Sequence, residues 1–267
     1  MSRKKSKDNS NVIAAVIGGA AAILVAVISV FGPRLFTSSP MLTATAPISE
    51  ILGCAQLSSM SLSDEPRNDP FKNRQVDTWI PNDDGDGYTM LQAKTSDNDL
   101  EIRVGPPLLD GCIDYRFKIG SYDKNKHKPT DEISDYGKVE FSFRLLEKSS
   151  QNPGEQSYLL DFLPNLGRAG LTYRNEITGE WVDLVNGKSK PFGIDTGKWY
   201  YVTVDIQGDT IKVYLQEEGQ EVNKEDLRRN PIVSSQDSRI SKEGIFSFYV
   251  GPYATVYIDN FKIWDAK

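Results

Sequence analysis

The chain carries two hydrophobic patterns that occupy different stretches. From Val12 to Phe31 the residues read VIAAVIGGAAAILVAVISVF, an apolar run without a charge. About 20 apolar residues, each rising ~1.5 Å in a helix, cross a hydrocarbon layer of roughly 30 Å, so the run predicts a membrane-spanning helix. From about Phe71 onward the pattern has period two. Leu100, Ile102 and Val104 alternate with Glu101 and Arg103, and Ile113, Tyr115, Phe117 and Ile119 with Asp114, Arg116 and Lys118. Val139, Phe141, Phe143 and Leu145 alternate with Glu140, Ser142 and Arg144. Tyr200, Val202, Val204 and Ile206, then Ile211, Val213 and Leu215, continue the pattern. Successive strand side chains point to opposite faces, so each run predicts a strand with one buried and one wetter face.

Shorter strand candidates lie at Val76–Ile80, Tyr88–Ala93, Tyr158–Phe162, Leu171–Arg174, Trp181–Val185, Ile245–Val250 and Thr255–Ile263. Gln207-Gly208-Asp209 predicts a tight hairpin. In the last candidate the apolar phase slips, with Val256 and Ile258 on one parity and Phe261 and Ile263 on the other. Asp259-Asn260 sits at the slip, which predicts a bulge or a side chain turned inward. Glu217 to Arg229 is charged and predicts a short surface helix at most.

The domain plan follows. Residues 1–10 form a tail holding Arg3, Lys4, Lys5 and Lys7, and 11–32 the transmembrane signal anchor. Cationic residues stay on the cytoplasmic side, so the expected topology is single-pass in the cell membrane, N-terminus inside, C-terminal domain extracytoplasmic. A cleaved signal peptide is the rival, but its apolar core is usually shorter, ~7–15 residues. Residues 33–70 are rich in Ser, Thr and Pro and predict a solvated stalk, of which Ile48–Leu62 could fold back onto the domain. Residues 71–267 form one block of about a dozen short strands, the signature of an all-β, two-sheet antiparallel sandwich.

The sequence carries −6 overall; the residues before the apolar run contribute +3, so the rest carries −9. That acidity argues against nucleic acid as a partner and against a second docking onto anionic lipid. Cys54 and Cys112 are the two cysteines. Outside the cytoplasm two thiols often pair, and the alternative is two unrelated free thiols.

Asn82-Asp83-Asp84-Gly85-Asp86-Gly87 is the densest oxygen cluster. Asn82, Asp84 and Asp86 have the alternate spacing with which a loop wraps calcium, but Ala93 stands where a complete EF-hand loop needs Glu, and an acidic turn is the simpler reading. The single histidine, His127, lies in a basic loop, which leaves no zinc set and no Ser-His-Asp arrangement. Glu180-Trp181-Val182-Asp183 has the wrong spacing to put both carboxylates on one strand face, and Glu140 and Asp161 could meet only through folding.

The C-terminal stretch resembles the concanavalin A-like jelly rolls, in particular laminin G-like domains. The resemblance is carried by Gly197-Lys198-Trp199-Tyr200-Tyr201-Val202-Thr203-Val204, Ile211-Lys212-Val213-Tyr214, Gly244-Ile245-Phe246-Ser247-Phe248 and Val256-Tyr257-Ile258-Asp259-Asn260-Phe261. It implies a jelly roll over 71–267 and a ligand held on the concave sheet or its rim loops. Sugars stack on aromatic rings and bond to Arg, Asp and Asn, so the implied carbohydrate contacts are Arg144, Tyr158, Tyr173, Arg174 and Trp181. Tyr173 shares the parity of Leu171 and could be core instead. Trp79 and Trp199 are assigned to packing. The resemblance also makes Asp259 a further candidate ligand for structural calcium. The strand-borne Glu-x-Asp-x-(x)-Glu set of related hydrolases is missing. The expected function is a membrane-anchored module recognising carbohydrate or a surface polymer. A glycoside hydrolase or lyase on the same scaffold, or a protein-binding adhesion module, are the alternatives.

Overall fold

The computed structural model describes residues 51–67, 79–83, 89–95, 99–122, 138–150, 153–163, 168–185 and 192–267. The apolar run at 12–31 therefore lies outside the described residues, among which no helix is long and apolar enough to cross a membrane. Ser49–Lys267 forms one compact unit.

Among the described residues thirteen strands make two antiparallel sheets. The seven-stranded sheet runs, in spatial order, β1 (Trp79–Asp83), β2 (Thr89–Lys94), β13 (Ala254–Asp265), β4 (Gly111–Tyr122), β9 (Trp199–Gln207), β10 (Thr210–Glu217) and β11 (Val233–Gln236). The six-stranded sheet runs β3 (Leu100–Leu108), β12 (Gly244–Val250), β5 (Val139–Leu146), β6 (Gln156–Leu163), β7 (Arg168–Asn175) and β8 (Glu180–Asp183). Two short helices accompany them, α1 (Cys54–Leu57) and α2 (Lys224–Arg229).

The core is the set of inward residues that the alternation picks out. Ile113, Tyr115, Phe117 and Ile119 from β4 meet Phe141 and Phe143 from β5 and Phe246 and Phe248 from β12. Phe261 packs edge-on against Phe248, with ring centroids 5.3 Å apart. β9 and β10 join through Gly208-Asp209, with Gly208 at φ 59, a left-handed turn glycine enters without a Cβ penalty. The phase slip in β13 is a bulge between Asp259 and Lys262, with Asn260 at φ 54. The extra residue returns Phe261 and Ile263 to the core beside Val256 and Ile258.

The rule of one wet face fails in β5, where Glu140, Ser142 and Arg144 are buried along with their apolar neighbours. It fails again on β9 and β10, where Thr203, Asp205, Tyr214 and Gln216 are buried. Here residues 51–59 lie over the outer face of the seven-stranded sheet as a strap. Leu52 and Leu57 pack on Tyr214 and on Leu227 of α2. The Leu52 amide donates to Gln216 Oε1 at 3.3 Å, and Ser58 Oγ to Asp205 Oδ1 at 2.8 Å. Cys54 and Cys112 are joined by a disulfide. Farther on, the Ser63 amide donates to the Asp265 carbonyl and the Arg67 amide to that of Ile263. The stretch assigned to a solvated stalk is thus, over 51–67, part of the folded unit, because its few apolar residues and its cysteine have specific partners on the sheet.

Candidate functional site

Two outer faces remain once the core is removed, and strand register shows what each presents. On the six-stranded sheet one row runs Glu101, Tyr249, Glu140, Asp161, Gly170 across β3, β12, β5, β6 and β7. The next runs Arg103, Ser247, Ser142, Leu159, Thr172, Asp183. A third, shorter row is Ser157, Arg174, Trp181. In the middle of this face Ser247, Ser142, Leu159 and Ser157 are buried, and long or aromatic side chains stand at its margins.

At one margin Glu140 and Asp161 are register partners, and Lys138 Nζ lies 2.8 Å from Glu140 Oε2 and 3.0 Å from Asp161 Oδ1. The Lys138 ammonium also lies 5.6 Å from the Tyr249 ring centroid. Burial pushes the Asp161 carboxyl up to about 7; Lys138 opposes that shift and Glu140 adds to it. Burial works to lower the Lys138 pKa, but the charges of Asp161 and Glu140 outweigh it and hold it above the ordinary lysine range. At the other margin Glu155 bridges two guanidiniums, Oε1 being 2.6 Å from Arg103 Nη1 and Oε2 3.1 Å from Arg174 Nη2. Arg174 lies 5.8 Å from the ring centroid of Trp181, its cross-strand partner. Trp181 is 62% exposed, the largest exposed aromatic among the described residues.

Of the five residues assigned to sugar contact, Arg174 and Trp181 are together on this face and three are elsewhere. Arg144 is 1% exposed, in a left-handed backbone conformation at φ 48. Its Nε donates to the Leu109 carbonyl at 2.9 Å, Nη1 to that of Ile240 at 2.9 Å, and Nη2 to that of Gly208 at 2.8 Å and to Asp110 Oδ1 at 3.2 Å. With its donors spent on three loops, Arg144 is an internal clamp and not a ligand contact. Tyr158 is buried in the core, its hydroxyl donating to Asp237 Oδ1 at 2.8 Å and accepting from the Ile240 amide at 3.2 Å. Tyr173 is also core, its hydroxyl accepting from Asn175 Nδ2 at 3.0 Å.

The calcium candidates are not brought together within the described residues. The Asn82 backbone is in β1, and its side chain, Asp84 and Asp86 lie outside the described residues. Asp259 is fully buried and ion-paired with Arg116, which already supplies a positive charge to that carboxylate. Among the described residues the metal-type grouping is Cys54, Cys112 and Asp114, but its two sulfurs are spent in the disulfide. Asp114 instead accepts from the Cys54 amide at 2.9 Å and from Thr203 Oγ1 at 2.8 Å, fixing the strap. Burial pushes its carboxyl up to about 6 against those hydrogen bonds and Lys262.

No family model matches the sequence, and no curated protein matches it. Solved structures with a similar backbone include a carbohydrate-binding module of Bacillus subtilis, at 16% identity and TM-score 0.46 over 77% of this chain and 94% of that one. A galectin of Caenorhabditis elegans aligns at 9% identity and TM-score 0.39 over 64% and 94%. An alginate lyase of Klebsiella pneumoniae aligns at 15% identity and TM-score 0.38 over 73% and 85%. At these scores the likeness carries no argument about what this chain binds.

The chemistry of the face is the better guide. Glycoside cleavage needs two carboxylates roughly 5–9.5 Å apart with the bond between them. Here one ammonium holds both Glu140 and Asp161, at 2.8 and 3.0 Å, where such a bond would have to lie. The exposed indole beside the Arg174 guanidinium and the Glu155 carboxylate matches what a sugar ring offers, an apolar face and a rim of hydroxyls. Sequence reasoning named Trp181 and Arg174 but not Glu155, Arg103 and Tyr249, which the structure places on the same face. The alternation that puts Tyr249 and Arg103 on an outward face was available to find them.

The outer face of the seven-stranded sheet carries a second row, Gln92, Tyr257, Lys118, Trp199. Trp199, assigned to packing, is half-buried here rather than in the core, with Lys118 Nζ 4.6 Å from its ring centroid and from that of Tyr257. A cavity of about 290 Å³ opens beside the strap, lined among others by Ile51, Tyr201, Lys262 and Trp264.

Proposed function

We propose that this chain is a membrane-anchored, extracytoplasmic jelly-roll module of the concanavalin A-like kind that binds carbohydrate without cleaving it. The sugar lies on the outer face of the six-stranded sheet, stacked on Trp181 and bonded by Arg174 and Glu155. The observation that carries this reading is the exposure of Trp181 next to Arg174, its cross-strand partner, with Glu155 paired to that guanidinium. The sequence resemblance supports the fold, and the Lys138 bridge favours binding over hydrolysis. A structural calcium at Asn82, Asp84 and Asp86 belongs to the same reading.

The test is a glycan array with fragment 49–267, run with and without calcium, beside its Trp181→Ala variant. Binding of a glycan by the parent and its loss in the variant is the expected result. Release of sugar from a bound polymer would replace the module with a hydrolase, and a blank array would turn the search toward a protein partner.

A further inference from the structure

On the outer face of the seven-stranded sheet the row Gln92, Tyr257, Lys118, Trp199 has a neighbour. Two residues further along the strands, Lys94, Thr255 and Ser121 are register partners on β2, β13 and β4. None of these seven side chains is a carboxylate, in a chain whose net charge is −6. Lys94 and Ser121 are exposed and the other five half-buried.

The two lysines differ from most cations of the fold. Lys138, Lys198 and Lys267 each pair with a carboxylate. Lys94 and Lys118 have no carboxylate in ion-pair range among the described residues. Aromatic rings frame Lys118 instead, its Nζ lying 4.6 Å from the ring centroid of Trp199 and 4.6 Å from that of Tyr257. Ring quadrupoles hold an ammonium in place without neutralising it. Gly120 makes room for this frame. It sits at a register shift between β4 and β13, and a Cβ there would stand 2.8 Å from Tyr257 Cε2.

Spacing and chemistry narrow the ligand. Adjacent strands lie about 4.8 Å apart and alternate residues of a strand about 6.8 Å, so the Cα atoms of Lys94 and Lys118 stand roughly 12 Å from each other. Positive charges at that interval suit a polymer with repeated carboxylates better than a single anion. The hydroxyls of Thr255 and Ser121 and the amide of Gln92 belong to the same two rows and are groups that bond to sugar hydroxyls. The half-buried rings of Trp199 and Tyr257 offer apolar surface to the C–H face of a sugar.

We propose that this face is a second binding site, and that it takes an acidic polysaccharide, a chain of uronate sugars whose carboxylates pair with Lys118 and Lys94. The site is on the other sheet from Trp181 and does not depend on the reading given to that residue. Glu155 and Glu180, which flank Trp181 and Arg174, would repel the same polymer.

The experiment runs the full chain, in non-ionic detergent, through native gels holding polygalacturonate, its fully methyl-esterified form or polyglutamate. Retardation by polygalacturonate is expected, weakened about tenfold by esterification or by Lys118→Gln and about threefold by Lys94→Gln, an exposed position whose change leaves folding alone. Trp181→Ala is expected to keep the full retardation. No retardation by polygalacturonate overturns the proposal. So does equal retardation by polyglutamate, which would show that charge alone is read and a peptide serves as well. Retention unchanged in both lysine variants, or lost in Trp181→Ala, overturns it by placing the polymer elsewhere.

Discussion

Glu140 and Asp161 face one another across β5 and β6, and a single ammonium, that of Lys138, bridges them at 2.8 and 3.0 Å. Two carboxylates buried side by side repel unless a cation or a shared proton stands between them.

The consequence for pH has a definite sign. Asp161 titrates at about 7 in the folded state, above the roughly 3.9 of an unfolded aspartate. Between these values the folded chain keeps a proton that the unfolded chain has released, so stability falls as pH rises from about 4 to 7. Asp161→Asn is expected to flatten that fall, raising the melting temperature at pH 8 more than at pH 5. Asp114, with its carboxyl up at about 6, leaves a residual slope of the same sign below that pH. Lys138→Met is expected to cost about 3–5 kcal/mol at pH 8 and less at pH 5, where a proton can replace the ammonium. Thermal melts of 49–267 across this range check both variants.

Arg144 and Trp181 are expected to separate stability from binding. Arg144→Ala strands the Leu109, Ile240 and Gly208 carbonyls and removes a fully buried charge, at a cost of about 3–5 kcal/mol. Arg144→Lys does not rescue it, because an ammonium cannot reproduce the guanidinium fork. Urea unfolding measures the loss.

Trp181→Ala is expected to leave the urea midpoint within error, since the side chain is 62% exposed, while weakening glycan affinity at least tenfold, about 1.4 kcal/mol. Tyr158→Phe should do the reverse, destabilising by about 1–3 kcal/mol through the stranded Asp237 and Ile240 groups and leaving affinity unchanged. Affinity gels with the bound glycan read the contrast.

The disulfide closes a loop of 58 residues, for which chain entropy predicts about 4 kcal/mol. The double variant Cys54→Ser, Cys112→Ser is expected to keep the far-ultraviolet spectrum of the sandwich, because the strap lies outside the main core. It should lose up to that amount of stability and become open to proteolysis within 51–67.

Much of the fold was legible. Alternation located the strands to within a few residues, apart from β11, whose four residues Val-Ser-Ser-Gln have too little pattern to stand out. The parity slip at Asp259 located the bulge because each strand residue turns the next one over. The candidate site was legible in part. Residue type named Trp181 and Arg174, which the fold sets side by side on one outer face, and by the same rule Arg144 and Tyr158, which it buries, since residue type does not say whether a polar head meets solvent or carbonyls.

The sequence by itself determined which residues share a strand face, where hairpins turn and where the apolar phase slips, because these depend on neighbours along the chain. Only the tertiary structure decided that Glu140 meets Asp161, that Arg144 reaches three loops, and that residues 51–67 strap one sheet rather than trail into solvent. Those contacts join residues from tens to more than 150 positions apart. They follow from strand order and register, which the alternation of a single strand leaves open.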